Sequence, residues 1–358
     1  MNYRINKFFA RKLYQADAVI VEDLKLVDPI SNIIIGLESV NSTNVNLGHV
    51  SKHFSKIEII DGSDVLFSLD GLEAEALDWY NQGGKFRPNF NYEIMGATSR
   101  HFIGINFGRY LWDRELALDP RKFTNPQIRL TLDFDAGGNT PSAVYITMWA
   151  MLFDQRTVSP VGFLMAKELK SWAMSSTVHE YTDLPLDYPY RGIYFRPYYS
   201  EVEPSQACTN FKLSEDQDKK IPYDGELYHL INLIAERYPI CEEWYNAYIP
   251  STEVTLYVAP SEKVHGVGIK REDTGSTAAF SLSDGDGGTL HAIHSSGACN
   301  AWIHVAGYCP HSVVEFPCGM KDDMADWYDV RSLGSLKADI TGTTTATGYL
   351  FLQQLRSY

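Results

Sequence analysis

The sequence has 358 residues, of which 44% are hydrophobic, and its formal net charge is −14. A chain of this length favours two domains, and its acidic balance argues against a general nucleic-acid-binding surface, because phosphate contacts require clustered Lys and Arg. No apolar run approaches the roughly 20 residues that a membrane-spanning helix requires.

The first residues of the chain, MNYRINKFFARKLYQ, are basic and amphipathic. They contain no apolar core followed by a small-residue cleavage site, so we predict no signal peptide. Their apolar side chains recur at helical spacing, which predicts a short helical arm within residues 1–27. Such a helix could rest on anionic lipid or pack on its own domain, and both alternatives stay open. The positions expected to face a membrane or the interior of an assembly are Arg4, Lys7, Phe8, Phe9, Arg11 and Lys12.

Residues 28–165 predict strands around a single helix. A strand that follows a proline comes first, and a second alternating strand leads into Asp70. Asp70 can cap a helix, with Glu73 completing a capping box, and a Gly-Gly pair ends it. Further on, a strand with a two-residue period and a Gly-Gly-Asn turn precede the apolar run 144–152.

Residues 166–358 show the same order of elements. A strand that follows a proline again precedes an Asp-Gly pair at Asp224, which we predict to begin a helix that ends at Pro239. An alternating strand and a Gly/Thr turn then lead into the apolar run 349–352. Three pattern elements recur in the same order in both halves, which indicates a duplicated domain. The alternative is two unrelated β-domains that share ordinary turn chemistry.

The second copy is longer than the first. Gly71 and Gly108 are 37 positions apart, whereas the corresponding Gly225 and Gly319 are 94 positions apart. The additional 57 residues lie at about 244–315, where polar, Gly-rich turns alternate with short strands. We predict an elaborated loop region on one face of the second domain.

We therefore predict an all-β fold with two tandem eight-stranded jelly-roll sandwiches, each with one short α-helix, plus a short N-terminal helical arm. The predicted units are the basic amphipathic arm at 1–27, the first jelly roll at 28–165, and the second jelly roll at 166–358, with its insert at about 244–315.

This pattern resembles the double jelly-roll major capsid proteins of tailless icosahedral viruses, among them internal-membrane bacteriophages and the adenovirus hexon. The resemblance runs from about Asp28 to Tyr358. It rests on the tandem jelly rolls, on the Asp-Gly helix in each, and on two phrases that look like segments of small phage capsid proteins of this kind. These phrases are FGRYLWDRELALDPRKFTNPQIRL and KLSEDQDKKIPYD.

The resemblance implies a viral major capsid protein, a homotrimer whose six jelly rolls form a pseudo-hexagonal capsomer of an icosahedral shell around the genome. It implies a location in the virion after synthesis in the host cytoplasm, with neighbouring capsomers, penton proteins and minor capsid proteins as partners. The insert would project outward as a tower, and the N-terminal arm would face the interior, where an internal lipid membrane is a further expectation. No sequence-specific nucleic-acid binding is expected.

Two segments are candidates for metal binding. The segment 291–311 collects histidines and cysteines, but their spacing matches no zinc module and favours packed side chains. Its members are His291, His294, Cys299, His304, Cys309 and His311. Asp284 and Asp286 form part of a calcium-loop pattern, but position 295 is Ser where an acidic residue is needed. A hairpin turn is therefore expected, calcium at these two residues stays the alternative, and we predict no metal site or other cofactor.

No nucleophile, P-loop or metalloprotease signature appears, so we predict no catalytic residues and no enzyme activity. The rival interpretation is an extracellular two-domain β-sandwich that binds carbohydrate or hydrolyses glycans, with the aromatic segment YPYRGIYFRPYY as a stacking surface. Five cysteines without CxxC spacing indicate reduced thiols and disfavour that rival. They are Cys208, Cys241, Cys299, Cys309 and Cys318.

Overall fold

The computed structural model describes residues 2–154, 158–176, 178–270, 279–294, 298–343 and 345–358. The first half contains β1 (Tyr3–Tyr14), β2 (Ala18–Asp23), β3 (Ile30–Asn41), β4 (Phe54–Asp61), β5 (Asp64–Leu69), α1 (Gly71–Asn81), β6 (Asn91–Glu93), β7 (Thr98–Asn106), β8 (Pro126–Leu132) and β9 (Pro141–Phe153). These strands form two facing layers, ordered β1-β9-β3-β7 and β2-β8-β4-β5, with β6 outside both.

The second half begins with β10 (Gly162–Met174), β11 (His179–Asp183), β12 (Tyr190–Tyr198), α2 (Pro204–Ala207), β13 (Cys208–Glu215), β14 (Lys220–Glu226) and α3 (Leu227–Ala235). The insert follows as β15 (Cys241–Ile249), β16 (Val254–Tyr257), β17 (Glu262–Lys270), β18 (Ala279–Gly285), β19 (Thr289–Ala292) and β20 (Cys299–Tyr308). The half closes with β21 (Val314–Pro317), β22 (Leu336–Gly342) and β23 (Ala346–Ser357).

The two halves have the same strand order. The layers of the second half are β10-β23-β12-β21 and β11-β22-β13-β14. When β6 and the insert are set aside, every strand of the second half occupies the place of its counterpart in the first. The longer helices, α1 and α3, both follow the fifth strand of their half. This correspondence confirms the predicted tandem jelly rolls.

The two-residue periods mark strands with one face on a core. In β8, Ile128, Leu130 and Leu132 are buried and alternate with half-buried polar residues. In β22, Ala338 and Ile340 are buried in the same way. Each half has its own apolar core, since the side chains of β8 join one cluster and those of β22 another. The alternation therefore reports a half-buried strand at both positions.

A short turn also recurs before β8 in the first half and before its counterpart β22 in the second. Asp119 and Asp329 each precede a 3-10 turn and accept a hydrogen bond from the backbone N–H two residues on. Arg121 and Arg331 then bind the same carboxylates through two guanidinium nitrogens at 2.7–2.9 Å. This Asp-x-Arg clamp is a further mark of duplication that sequence analysis did not identify.

The two halves are joined through one continuous eight-stranded sheet. Strand β10 pairs in parallel with β5 of the first half at two positions, and along its length with β23 in antiparallel fashion. The predicted domain boundary after Met165 lies inside β10, so the linker is itself a strand. The side chain of Tyr358 also returns to the first half, where its hydroxyl donates to the carbonyl of Ala117 at 2.7 Å.

The insert forms a small β-structure with its own core. Its sheet is ordered β18-β17-β20-β15-β6, so β6 of the first half extends it in parallel with β15. Buried residues that include Tyr245, Leu256 and Ile303 form a separate cluster there. Residues between α3 and β21 are thus a folded elaboration, close to the predicted range of 244–315.

The helix predictions were correct for α1 and partly wrong for α3. Asp70 caps α1, and Glu73 completes the capping box. Asp224 instead lies in β14, where it pairs with Lys212 of β13, and α3 begins at Leu227 without a side-chain cap. Because the β13–β14 hairpin continues through the second Asp-Gly pair, that pair does not start a helix.

The predicted helical conformation of the N-terminal arm is wrong. Tyr3–Tyr14 forms an edge strand on β9, and β2 forms an edge strand on β8, so these segments are part of the first jelly roll. The pairing of β1 with β9 shifts register between Lys7 and Phe9. Adjacent Phe8 and Phe9 both pack against the first core, which mimics helical spacing in the sequence. Hydrogen bonding to β9 stabilises the strand, whereas so short a helix is marginal by itself.

Candidate functional site

The six residues predicted to face a membrane or an interior all lie on the outer edge strand β1. Arg4 is neutralised by Asp28 at 3.0 Å, and Arg11 binds Glu38 at 2.9 Å while it stacks 3.4 Å from the ring centre of Tyr145. The hydrogen bond from Arg11 holds the pKa of the Glu38 carboxyl below its ordinary value. These two arginines therefore add little free positive charge to the edge.

The remaining cations of this strand are Lys7 and Lys12. Both are exposed, and neither has a carboxylate within ion-pair distance in the part of the chain that the structure describes. Phe8 and Phe9 pack inward and are only partly accessible. The exposed apolar side chains of β1 are instead Ile5, at 61%, and Leu13, at 45%. Within the described ranges no helix has the length and apolarity needed to cross a bilayer.

The histidines and cysteines of 291–311 are dispersed. His291 lies 3.6 Å from Glu253, and His304 stacks on Trp244, with a centroid separation of 4.6 Å. All five cysteines are buried, and Cys208, Cys241, Cys309 and Cys318 are free thiols. Burial raises the pKa of the Cys309 thiol well above its ordinary value. Among the described residues of this segment, His311 alone enters a cluster of potential ligands, and its partners are remote in the sequence.

His311 belongs to a buried polar cluster with His49 and Glu75. Glu75 Oε2 lies 3.2 Å from His311 Nε2 and 3.6 Å from His49 Nδ1. On the other side of the His49 ring, Nε2 lies 3.5 Å from Glu243 Oε1. Burial by itself would raise the pKa of Glu75, but the neighbouring histidines hold it well below its ordinary value. Burial raises the pKa of nearby Glu93 to about 8.

The acidic loop at 283–288 forms a hairpin turn. The backbone carbonyl of Asp286 accepts hydrogen bonds from the N–H and the hydroxyl of Thr289, and Gly287 and Gly288 have positive φ angles. Asp286 is exposed, and the side chain of Asp284 lies outside the described residues. Calcium binding by this pair stays an untested alternative.

The aromatic segment YPYRGIYFRPYY is largely core. Most of it forms β12, in which Tyr190, Tyr194 and Phe195 are completely buried. The Tyr194 hydroxyl donates to Glu315 at 2.9 Å, and Tyr194 stacks on Phe351 at 4.8 Å. These rings have no exposed face on which a sugar could stack.

No family model and no curated protein sequence matches the chain. Solved structures do match it over nearly its whole length. The crystal structure of the STIV MCP aligns with a TM-score of 0.59 at 11% identity and covers 99% of this chain and 98% of that one. The major capsid protein P2 from bacteriophage PM2 aligns with a TM-score of 0.56 at 10% identity, covering 99% and 98%. The PBCV-1 virus capsid gives 0.58 at 9% identity, covering 99% and 94%.

These matches, together with the matching strand orders, confirm that the chain has the double jelly-roll fold of such viral capsid proteins. The coverage of both chains means that the likeness includes both halves rather than a single sandwich.

Proposed function

We propose that this chain is a viral major capsid protein that assembles as homotrimers into an icosahedral shell around a genome. The observation that carries the proposal is the pair of jelly rolls with one strand order, fused side by side through the β5–β10 pairing. Three such chains place six similar sandwiches around one axis. A unit of that shape can tile a closed surface.

Two surfaces have roles in this proposal. The insert, β15 to β20, is the outward tower of the second jelly roll, and the short β6 connection of the first half adds only one strand to it. The exposed edge of β1 is an inner or lateral contact surface for neighbouring capsomers, minor capsid proteins or an internal membrane. Its unpaired backbone groups and its lysines suit a partner strand or an anionic lipid surface.

The proposed role is structural, without catalysis, and its place is the virion after synthesis in the host cytoplasm. The rival carbohydrate-binding function loses its main support because the aromatic segment lies in the core. The buried free thiols of Cys208, Cys241, Cys309 and Cys318 are likewise typical of a protein made in a reducing compartment.

The oligomeric state and shape of the purified chain test this proposal. Light scattering should give three times the chain mass of 40.4 kDa, and negative-stain electron microscopy should show particles of hexagonal outline. Incubation at high concentration should yield sheets or shells of these units. A stable monomer at all concentrations, or one that binds a glycan array with specificity, would overturn it.

A further inference from the structure

The histidine–glutamate cluster, defined as His49, Glu75 and His311, brings three potential metal ligands together inside the protein. His49 precedes a 3-10 turn of the first jelly roll, Glu75 lies on α1, and His311 lies just before β21 of the second. Their exposed fractions are 5%, 2% and 5%. The cluster therefore sits at the junction of the two halves, away from solvent.

The distances within the cluster are those of a metal coordination shell. One ligand atom from each residue lies within 4.8 Å of the other two, and Glu75 Oε2 is 3.2 Å and 3.6 Å from the two imidazole nitrogens. Ligand atoms placed tetrahedrally around zinc at about 2.0–2.1 Å are separated by about 3.3–3.4 Å. The two Glu75–imidazole separations lie on either side of that value. Glu75 Oε2 also accepts a hydrogen bond from the Ser51 hydroxyl, which a metal ion would replace.

A second layer of side chains supports these ligands. His49 Nε2 lies 3.5 Å from Glu243 Oε1 and has no hydrogen-bond partner among the described residues, whereas His49 Nδ1 accepts the Ser51 N–H at 3.3 Å, a bond that a metal on Nδ1 would replace. A carboxylate beside the second ring nitrogen is common at histidine metal sites. Glu243 is itself held by the N–H of Ala259 at 2.8 Å. The other oxygen of Glu75 accepts from Asn89 Nδ2 at 2.7 Å. Second-layer hydrogen bonds of this kind orient ligands in advance.

The carboxylate of the cluster is also not paired with an Arg or Lys side chain within the described ranges. Several buried carboxylates elsewhere pair with Arg or Lys, as Asp78 does with Arg87, although Glu73, Glu93 and Glu262 are buried without such an ion pair in the part of the chain that the structure describes. Among the described residues, Glu75 and Glu243 have only histidines within ion-pair distance. Burial of two carboxylates without a fixed cation lowers the stability of the folded protein. One divalent cation would neutralise both charges.

The backbone around His311 is held in an unusual conformation. Cys309, His311 and Ser312 have φ angles of 53°, 53° and 64°, in the left-handed region that favours glycine. The His311 N–H donates to the Ala259 carbonyl at 2.7 Å, and the His311 carbonyl accepts from Arg196 at 3.1 Å. Backbone strain of this kind clusters where a side chain must be aimed at a site.

We propose that His49, Glu75 and His311 bind one divalent transition-metal ion of the zinc class, which joins the first jelly roll to the second. Imidazole nitrogen with one carboxylate oxygen is a ligand set suited to zinc. A cavity of about 30 Å³ that borders His49 and His311, together with Lys52 and Arg196, has room for a water molecule beside the site. The inference does not depend on the proposed capsid function.

Metal analysis of the full-length chain tests the proposal directly. Protein purified without chelators and then dialysed should contain one equivalent of zinc per chain by mass spectrometry. Replacement with cobalt(II) should give the visible absorption of a tetrahedral site, a signature that a merely structural hydrogen-bond cluster does not produce. Chelation should lower the thermal midpoint, and zinc should restore it. Wild-type protein that takes up no zinc and gives no cobalt spectrum overturns the proposal without any variant.

Substitutions then locate the site. Glu75→Gln and His311→Gln should each abolish stoichiometric binding, and Glu243→Gln, in the second layer, should weaken zinc affinity about 10- to 100-fold. His265→Gln is the matched control, because it removes an exposed histidine of the insert and should leave stoichiometry and the cobalt spectrum unchanged. If Glu75→Gln and His311→Gln bind zinc as the wild type does, the metal lies elsewhere and the assignment is refuted. An equal loss of zinc in His265→Gln would refute it as well.

Discussion

Arg356 donates two hydrogen bonds to Asp64, and the one from Nη1 to Oδ1 is 2.8 Å long. Arg356 lies at the end of β23 and Asp64 at the start of β5, so this pair joins the last strand of the second jelly roll to the fifth strand of the first. The hydrogen bond from Arg356 lowers the pKa of Asp64.

The Arg356–Asp64 pair should couple the two halves measurably. Its side chains are partly exposed, so we expect a coupling free energy of about 0.5–1 kcal/mol in a double-mutant cycle with Asp64→Asn and Arg356→Gln, followed by chemical denaturation. The same cycle on Asp329 and Arg331, which pair within one half at an exposed turn, should give a smaller value. Equal couplings in both cycles would contradict a special role for the inter-half pair.

The two Asp-Gly pairs should respond differently to mutation. Asp70→Ala should lower the free energy of unfolding by about 3 kcal/mol, because it removes the cap of α1 and leaves Arg196, which Asp70 binds at 2.7 Å, buried without that carboxylate. Asp224→Ala should change it by less than about 0.5 kcal/mol, since Asp224 is exposed on β14. Denaturation curves measure both, and comparable losses would contradict the exposed, non-capping role of Asp224.

That difference shows where sequence reasoning succeeds. The capping box of α1 and the alternation in β8 involve neighbouring residues, so local rules predicted both. Strand β1 was predicted as a helix because its register shift places the adjacent Phe8 and Phe9 both on the core. The apolar residues of β1 therefore do not show the two-residue period of a regular strand. His311 and Glu75 are 236 positions apart, and no spacing rule connects them. Their encounter follows from the packing of the two jelly rolls, which a single sequence does not display.

Acid should destabilise the first jelly roll through His53. Burial lowers the pKa of His53 to about 4 from an ordinary 6.5. Between these values the unfolded chain binds more protons than the folded one, so stability falls as the pH falls through this window. The expected loss from this one group between pH 7 and pH 4.5 is about 2 kcal/mol.

Chemical denaturation at the two pH values isolates the contribution of His53. Between pH 7 and pH 4.5, the free energy of unfolding of His53→Gln should fall by about 2 kcal/mol less than that of the wild type. This difference does not depend on the absolute stability of the variant. His265→Gln, altered at an exposed position, should keep the wild-type loss. An unchanged loss in His53→Gln would mean that this imidazole is not held neutral by burial.

The β1 edge should bind anionic membranes through Lys7 and Lys12, if it is the inner surface of the proposed capsid protein. Each lysine near such a surface contributes about 1 kcal/mol, so Lys7→Glu with Lys12→Glu should weaken binding to phosphatidylglycerol vesicles at least roughly 30-fold. Vesicle co-sedimentation measures this, and light scattering checks that the oligomeric state of the variant matches that of the wild type. Lys85→Glu with Lys219→Glu makes the same charge change at exposed positions away from β1 and should bind as the wild type does. Equal losses of vesicle binding in both double variants would mean that net charge, and not the β1 edge, determines binding. If the Lys7/Lys12 variant loses no binding, the β1 edge does not bind membranes, and neighbouring protein chains are its expected partner.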